Sequence, residues 1–471
     1  MNKVTRRALL ASGGVIGAGA LGVGGLAGRN WLRDREPPVL PAADANGRLL
    51  WTNWSGIAHS YPQKRAAPRS EDELLDILTK APAPIRPVGS GHSFTAIVPT
   101  EGTLLTLDGM TGLVDHDAAT NRATVRAGTR LVDLGPALAA IGQEMDNLPD
   151  INKQSVAGAM STGTHGTGRG IPAVHGSVIA MRLATPSGEV IDCDATTRPE
   201  IFNAARVGVG AFGVVTQVTL QNQPLRRVLK RTEIRPTDEV IEDWPALRQR
   251  HRNVEFFPLP FTSYSVVVSH DVTDRPLKPR GPDTDVELMM GIKKLRDWFE
   301  FAPSLRRKYA DEELAKVPPE DMVDEGWKLL SNERPVRFNE MEYHLPIETQ
   351  MTALREVLAA IEAHRRDVFF PLEARVIAAD DAWLSPFYQR ESGSVAVHAY
   401  YREDYDFFFS IVEPIFRRHG GRPHWGKLHS LKARDLAQIY PRWRDANEVR
   451  RELDPQGRML NPFLKGLFID G

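Results

Sequence analysis

A glycine loop in reversed order limits this 471-residue chain more than any other feature. Gly208-Val-Gly210-Ala-Phe-Gly213 satisfies G-x-G-x-x-G. In a Rossmann unit such a loop leaves a strand and opens a helix, whose N-terminus faces the pyrophosphate. Here it leaves a helical stretch, Pro199 to Ala205, and enters a β-rich run, Val214 to Leu220. The reversal argues against a Rossmann domain and for another dinucleotide fold. A second match, Gly17-Ala-Gly19-Ala-Leu-Gly22, follows an arginine pair instead of a strand and lacks the same context. No G-x-x-x-x-G-K-[ST] occurs, so a nucleoside triphosphate is not the natural ligand.

Two further small-residue loops each fix a histidine among glycines: Gly89-Ser90-Gly91-His92-Ser93-Phe94 and Ser161-Thr-Gly163-Thr164-His165-Gly166. Glycines remove the Cβ and let backbone N–H groups turn toward an anion. A histidine in such a loop reads equally well as a structural donor to a backbone carbonyl. Near the end, His424-Trp-Gly-Lys427 puts a histidine and a lysine on one short turn.

Net charge is −1 and no long basic run is present, which gives no support to a nucleic-acid partner. Cys193 is the only cysteine, so neither an intramolecular disulfide nor a cysteine-based metal cluster can form, and no metal site is predicted. Thr5-Arg6-Arg7 precedes an uncharged segment with eight glycines between Gly13 and Gly28. This resembles a twin-arginine export signal over residues 1–28, implying an extracytoplasmic, periplasm-facing location; an uncleaved membrane anchor with membrane contact is the alternative. Residues 29–47, with Pro37, Pro38 and Pro41, read as a linker.

The folded part reads as α+β. Ser70-Glu-Asp-Glu73 is a capping-box pattern opening a helix that Pro82 and Pro84 stop. Short strands follow at Thr103–Leu107, Ala123–Ala127, Val178–Leu183 and Val214–Leu220, interrupted by helices at Leu131–Ile141 and Pro199–Ala205. Past Pro224 long charged segments appear. Glu287–Arg307 and Pro346–Arg365 read as helices; Val266–Val268, Phe369–Phe370 and Val395–His398 read as strands. This places one domain at 48–225 and a second at 226–471.

Pro87 to Phe94, Ser155-Val-Ala-Gly158, Ser161 to Gly166, Gly210 to Val215 and His424 to Lys427, in this order, resemble the vanillyl-alcohol-oxidase-type (PCMH-fold) flavoproteins, in their aldonolactone oxidase and alditol oxidase branch. The resemblance covers roughly residues 50 to 470. It implies an FAD-binding domain of two α+β subdomains and an α+β cap over the isoalloxazine ring, with residues from about 415 returning to the flavin. It also implies that His92 attaches FAD covalently. Pro87, Val88, Gly89, Ser90, Gly91 and Ser93 would lie along the pyrophosphate, with Ser155, Gly158, Ser161, Gly163, Thr164, His165, Gly213 and Val215 around the rest of the cofactor.

Glu373-Ala-Arg375 lies in a strand-like run, where side chains two apart share a face. From spacing alone the pair fits a surface ion pair as well as a polyol-binding couple, Lys427 fits a solvated lysine, and His398 a core histidine. The resemblance assigns Glu373, Arg375, Lys427 and His398 to the substrate. It implies oxidation of a CH–OH group of a polyol or sugar lactone, with electrons passing to oxygen or another acceptor. Glu340-Met-Glu342 is a cap-domain stretch whose register the sequence leaves open.

Overall fold

The computed structural model describes residues 36–469 apart from 38, 282–284 and 333. The arginine pair and the glycine-rich segment lie outside the described residues. Among the described residues no helix is long and apolar enough to cross a membrane.

Three main sheets carry the fold. The first is parallel: β1 (Lys64–Ala66) and β2 (Ile85–Val88) flank β3 (Thr103–Thr106). Helix α1 (Glu71–Lys80) connects β1 to β2. Ser70 Oγ accepts from the Glu73 amide, but the Glu73 carboxylate reaches past Ser70 to the Arg69 amide, so the predicted capping box is displaced by one residue on its return arm.

The second sheet is antiparallel: β4 (Leu113–Asp117), β5 (Arg122–Arg126), β6 (Val178–Ala184), β7 (Val190–Asp194) and β8 (Val214–Gln221), in the order β7-β6-β8-β5-β4. Helices α2 (Leu131–Ala139), α3 (Val156–Ser161) and α4 (Pro199–Ala205) interrupt it. The Gly208–Gly213 loop does run from α4 into β8, the reversed order that excludes a Rossmann unit.

The third sheet has eight strands: β9 (Arg227–Pro236), β10 (Asn253–Pro258), β11 (Tyr264–Val272), β12 (Glu320–Glu325), β13 (Phe338–Pro346), β14 (Glu373–Ile377), β15 (Ser392–Tyr400) and β16 (Arg422–Pro423). Their order is β12-β9-β11-β10-β14-β15-β13-β16. The Val395–His398 and Val266–Val268 runs fall inside β15 and β11. Phe369 and Phe370 are not in a strand; their rings pack against Phe338 and Tyr400 in an aromatic cluster. The helix read over Glu287–Arg307 is two, α6 (Asp285–Phe299) and α7 (Pro303–Leu314), because Pro303 cannot continue the first and starts the second. Helix α5 (Thr237–Arg250) precedes them, and α8 (Gln350–His364) begins four residues after Pro346.

Register fixes which side chains of this sheet act together. Glu340 pairs directly with His398, and Glu342 and Glu373 flank Ala396 from opposite sides. With a period of two, these residues share one face. Gln350, the first residue of α8, donates from Nε2 to Arg375 O (2.7 Å) and Ser394 O (2.9 Å), while Trp244 Nε1 donates to its oxygen.

Arg86, in β2, is buried and donates to four backbone carbonyls: Ile97 (2.7 Å), Val209 (2.7 Å), Gly210 (2.8 Å) and Met459 (2.6 Å). Val209 sits at φ 45°, a conformation costly for a β-branched residue, and Arg86 holds its carbonyl there. The same region takes the C-terminal segment, since Arg458 O accepts from the Ile85 amide and Asn461 Nδ2 donates to Ala96 O and Pro99 O. Replacing Arg86 leaves four buried acceptors unpaired. Arg86→Leu is expected to lower unfolding free energy by at least about 3 kcal/mol, and Arg86→Lys, with fewer donors, to recover only part of it. Urea unfolding followed by tryptophan fluorescence measures both; an unshifted Arg86→Leu midpoint would show that these bonds contribute little.

Candidate active site

A cleft of about 670 Å³ lies between the glycine loops and one face of the eight-stranded sheet. Of the cofactor residues read from the sequence, Pro87 to Ser93, Ser155, Gly158, Ser161, Thr164, His165, Gly213 and Val215 all line it, as do Glu373, Arg375, His398 and Lys427. Gly163 does not. It turns at φ +73° with its Cα facing Pro386 and Val207, so its role is to turn the chain and place Thr164 and His165.

The first loop approaches the N-terminus of α3 closely. A Cβ on Gly89 would fall 2.3 Å from Ser155 Oγ, so any larger residue would push the Ser155 hydroxyl out of its capping position. Ser155 caps α3 by accepting from the Gly158 amide (3.2 Å). The loop is also stitched to the C-terminal turn. The Phe94 amide donates to Gly426 O (2.7 Å) and Thr95 Oγ1 to Trp425 O (3.0 Å). His92 lies against Trp54, ring centroids 5.4 Å apart. Burial, with Lys427, Arg130 and Lys153 nearby, pulls its imidazole down to about 4. At neutral pH His92 is therefore uncharged, with a ring nitrogen lone pair.

The His424–Lys427 turn docks on β13: the His424 amide donates to Glu342 O (3.0 Å) and the Leu428 amide to Glu340 O (2.9 Å). Lys427 Nζ makes a short ion pair with Glu340 and lies 5.0 Å from the centre of the Phe94 ring. His398 Nδ1 faces Pro371 O at 3.0 Å, which places a proton on Nδ1, and its Nε2 lies 3.6 Å from Glu340 Oε1. His165 Nδ1 lies 2.8 Å from Gly166 O, and its Nε2 lies 3.1 Å from Glu342 Oε1. The structural role of His165 and its place on the cleft wall are thus both realised.

Arg375 is buried among carboxylates. It contacts Glu373 at short range, Glu255 at 2.7 Å and Asp150 at 3.8 Å. Asp150 also meets Arg334 and Asn332, and Lys230 donates to Asn332 Oδ1 (2.9 Å). Burial raises the Glu373 carboxyl well above the usual range, and although Arg375 opposes this, Glu255 and Asp150 reinforce it. Arg375 is shared between Glu373 and Glu255 while Asp150 is also met by Arg334, so burial favours the protonated form at Glu373. Glu340 goes the other way: burial would raise it, but Lys427 and His398 hold it down to about 2. Ligand atoms of Glu340, Glu373 and His398 lie within 4.8 Å of one another, a spacing that could hold a cation, but Lys427 and Arg375 already face the two glutamates.

The sequence reading passed over Glu255, Asp150 and Lys230. Glu255 had a visible signal, a lone carboxylate in the apolar run Val254-Glu-Phe-Phe257. Asp150 and Lys230 had none, because their partners are distant in the chain.

Residues 218–467 match the family model described as D-arabinono-1,4-lactone oxidase, and residues 62–194 match that of the FAD binding domain. The chain belongs to the D-arabinono-1,4-lactone oxidase family. Within it, the L-gulono-1,4-lactone dehydrogenase of Mycobacterium tuberculosis is 33% identical over 427 residues, covering 88% of this chain and 98% of the relative. The alditol oxidase of Streptomyces sp. is 27% identical over 446 residues, covering 89% and 99%. In three dimensions the chain is similar to a solvent-stable cholesterol oxidase, with a TM-score of 0.73 at 18% identity over 89% of this chain and 97% of that one, a likeness of fold alone.

FAD is the cofactor of this D-arabinono-1,4-lactone oxidase family member. The residues fit it: a glycine cradle in which a Cβ on Gly89 would meet Ser155, the capped N-terminus of α3 beside it, and a cleft of ligand size. The same burial makes the cleft sensitive to acid. Burial lowers five histidines, His92 and His429 to about 4, His270 and His424 to about 3, and His344 well below its usual range. Unfolded, each titrates near ~6.5, so below that pH the unfolded chain binds more protons and stability falls. Thermal midpoints measured from pH 7 to 4 should drop steadily, as unfolding free energy falls by up to about 1.4 kcal/mol per pH unit for each histidine. A flat profile would contradict the buried neutral state of these rings.

Proposed function

We propose that this enzyme oxidises a CH–OH group of a sugar-derived aldonolactone or alditol. The observation that carries this is the placing of Arg375, Lys427, Glu373 and His398 on one cleft with His92 and the glycine loops. Bound FAD supplies the two-electron acceptor for the hydride. Arg375 and Lys427 donate to the carbinol oxygen and steady the negative charge that develops there as the C–H bond weakens. His398, its ring oriented by the Nδ1 contact to Pro371, receives the hydroxyl proton. Glu373, whose protonated form burial favours, donates to a neighbouring hydroxyl, and Glu255 accepts from one while holding Arg375 in place.

Dioxygen is the simplest acceptor for the two electrons and two protons, giving hydrogen peroxide and the carbonyl product. The name of the M. tuberculosis relative, a dehydrogenase, favours a second reading in which another acceptor takes them. Admitting air to the substrate-reduced enzyme separates the two: rapid reoxidation with stoichiometric peroxide supports the oxidase, and a flavin that stays reduced supports the dehydrogenase.

We further propose that His92 bonds covalently to the flavin, because its neutral imidazole lines the cleft beside the cradle. Acid-precipitated wild-type protein should stay yellow and His92→Ala should release its flavin; a colourless wild-type pellet argues against the bond.

Arg375→Ala and Lys427→Ala are each expected to slow anaerobic flavin reduction about a hundred- to a thousandfold, roughly 2.7–4 kcal/mol of transition-state stabilisation. Rapid mixing with alditols and aldonolactones, at full flavin content, measures this. Wild-type rates in both variants would place the chemistry elsewhere.

A further inference from the structure

The polar cluster occupies only part of the cleft. Beyond Glu255 the same face of the sheet turns apolar. The register of β9, β11 and β10 sets Ile234, Val266 and Phe257 in one row across three strands, next to the row of Thr232, Val268 and Glu255. Helices α6 and α7 roof this region. Leu295, Ala310 and Leu314 pack in one apolar cluster with Ile234 and Val266, yet all of them also border the cleft that reaches Arg375 and His92. A sugar-sized ligand at Arg375 leaves this lobe to water.

The turn between the same two helices and the helix residues on either side of it also expose apolar side chains. Trp298, Phe301, Leu305 and Tyr309 are 37%, 62%, 45% and 39% exposed, spaced three or four residues apart, and Lys294 lies 4.7 Å from the Trp298 ring. Aromatic and aliphatic side chains beside lysines are the composition of a helix face that meets lipid.

We propose that the lobe beneath α6 and α7 is a subsite for a hydrocarbon chain, so that the substrate is an amphiphile with its polyol or lactone head at Arg375 and Lys427. This rests on the proposed function for the head group alone. The chain belongs to the substrate and not to a lipid-soluble quinone acceptor, because Glu255, Glu373 and Glu340 line the reacting end and suit a head rich in hydroxyls over a flat apolar ring.

The probes are N-acetyl- and N-octanoyl-N-methylglucamine, which share a polyol head and differ only in chain length. Binding is measured by calorimetry on flavin-reduced holoenzyme under argon, below the micellar concentration, so it needs no turnover. Each methylene that enters the lobe should tighten binding about fourfold until the lobe is full, giving the octanoyl compound at least a tenfold advantage. Ala310→Trp, which fills the lobe, and Val266→Thr, which keeps its shape but adds a hydroxyl, should both shrink that ratio. Equal affinity of wild type for the two compounds overturns the subsite, as does an octanoyl advantage that both variants retain. A chain-length effect confined to alkylated quinones overturns it in favour of an acceptor tail. If the octanoyl compound binds more tightly but neither glucamine, simple alditol nor aldonolactone reduces the flavin, the subsite stands and the proposed chemistry alone falls.

Discussion

Arg86 is the constraint on which the cleft depends. Burial draws its guanidinium down to about 9, with Asp454 opposing, and no carboxylate touches it among the described residues; backbone carbonyls satisfy it instead. Those carbonyls belong to the Gly208–Gly213 loop, the segment after the His92 loop, and the C-terminal strap. A planar, five-donor cation is the one side chain that can meet acceptors converging from three directions. Gly210 shows how tight the packing is: at φ +67° a Cβ would lie 2.8 Å from Pro87 Cγ. The loop that lines the cofactor cleft is therefore held by the residue preceding Pro87.

Charge in the cleft is divided unevenly. On the Arg375 side Glu373, Glu255 and Asp150 crowd one guanidinium, with Arg334 sharing Asp150, and burial favours the protonated form of Glu373. On the Lys427 side Glu340 stays ionised between a lysine and His398. The protonated form that burial favours at Glu373 would put a hydrogen-bond donor on one wall, while the other presents the Lys427–Glu340 ion pair.

Much of this was legible in the chain. The three glycine loops and the His424–Lys427 turn carried the cofactor cleft because their function needs backbone geometry, and glycine spacing records backbone geometry directly. Glu373 and Arg375 were legible through strand period, though nothing local distinguished a buried couple from a surface pair; that required knowing that β14 is interior to an eight-stranded sheet. The register of Glu340 and Glu342 was set by pairing with β15, more than fifty residues away, and stayed open for that reason. Phe369 and Phe370 have strand-like composition, but their rings were claimed by an aromatic cluster. Arg86 gave no sign, since its partners are carbonyls, which every residue has.

The C-terminal strap has a consequence for the order of events in the cell. Arg86 and Met459, joined by a hydrogen bond, are separated by 373 residues, and Arg458 reaches back to Leu78 and Ala81 from a similar distance. Such contacts cannot form until residues 458 and 459 have left the ribosome. The glycine cradle emerges several hundred residues earlier, yet the strand that supports it waits for them. Until then an emerging chain offers FAD a loop without its backing.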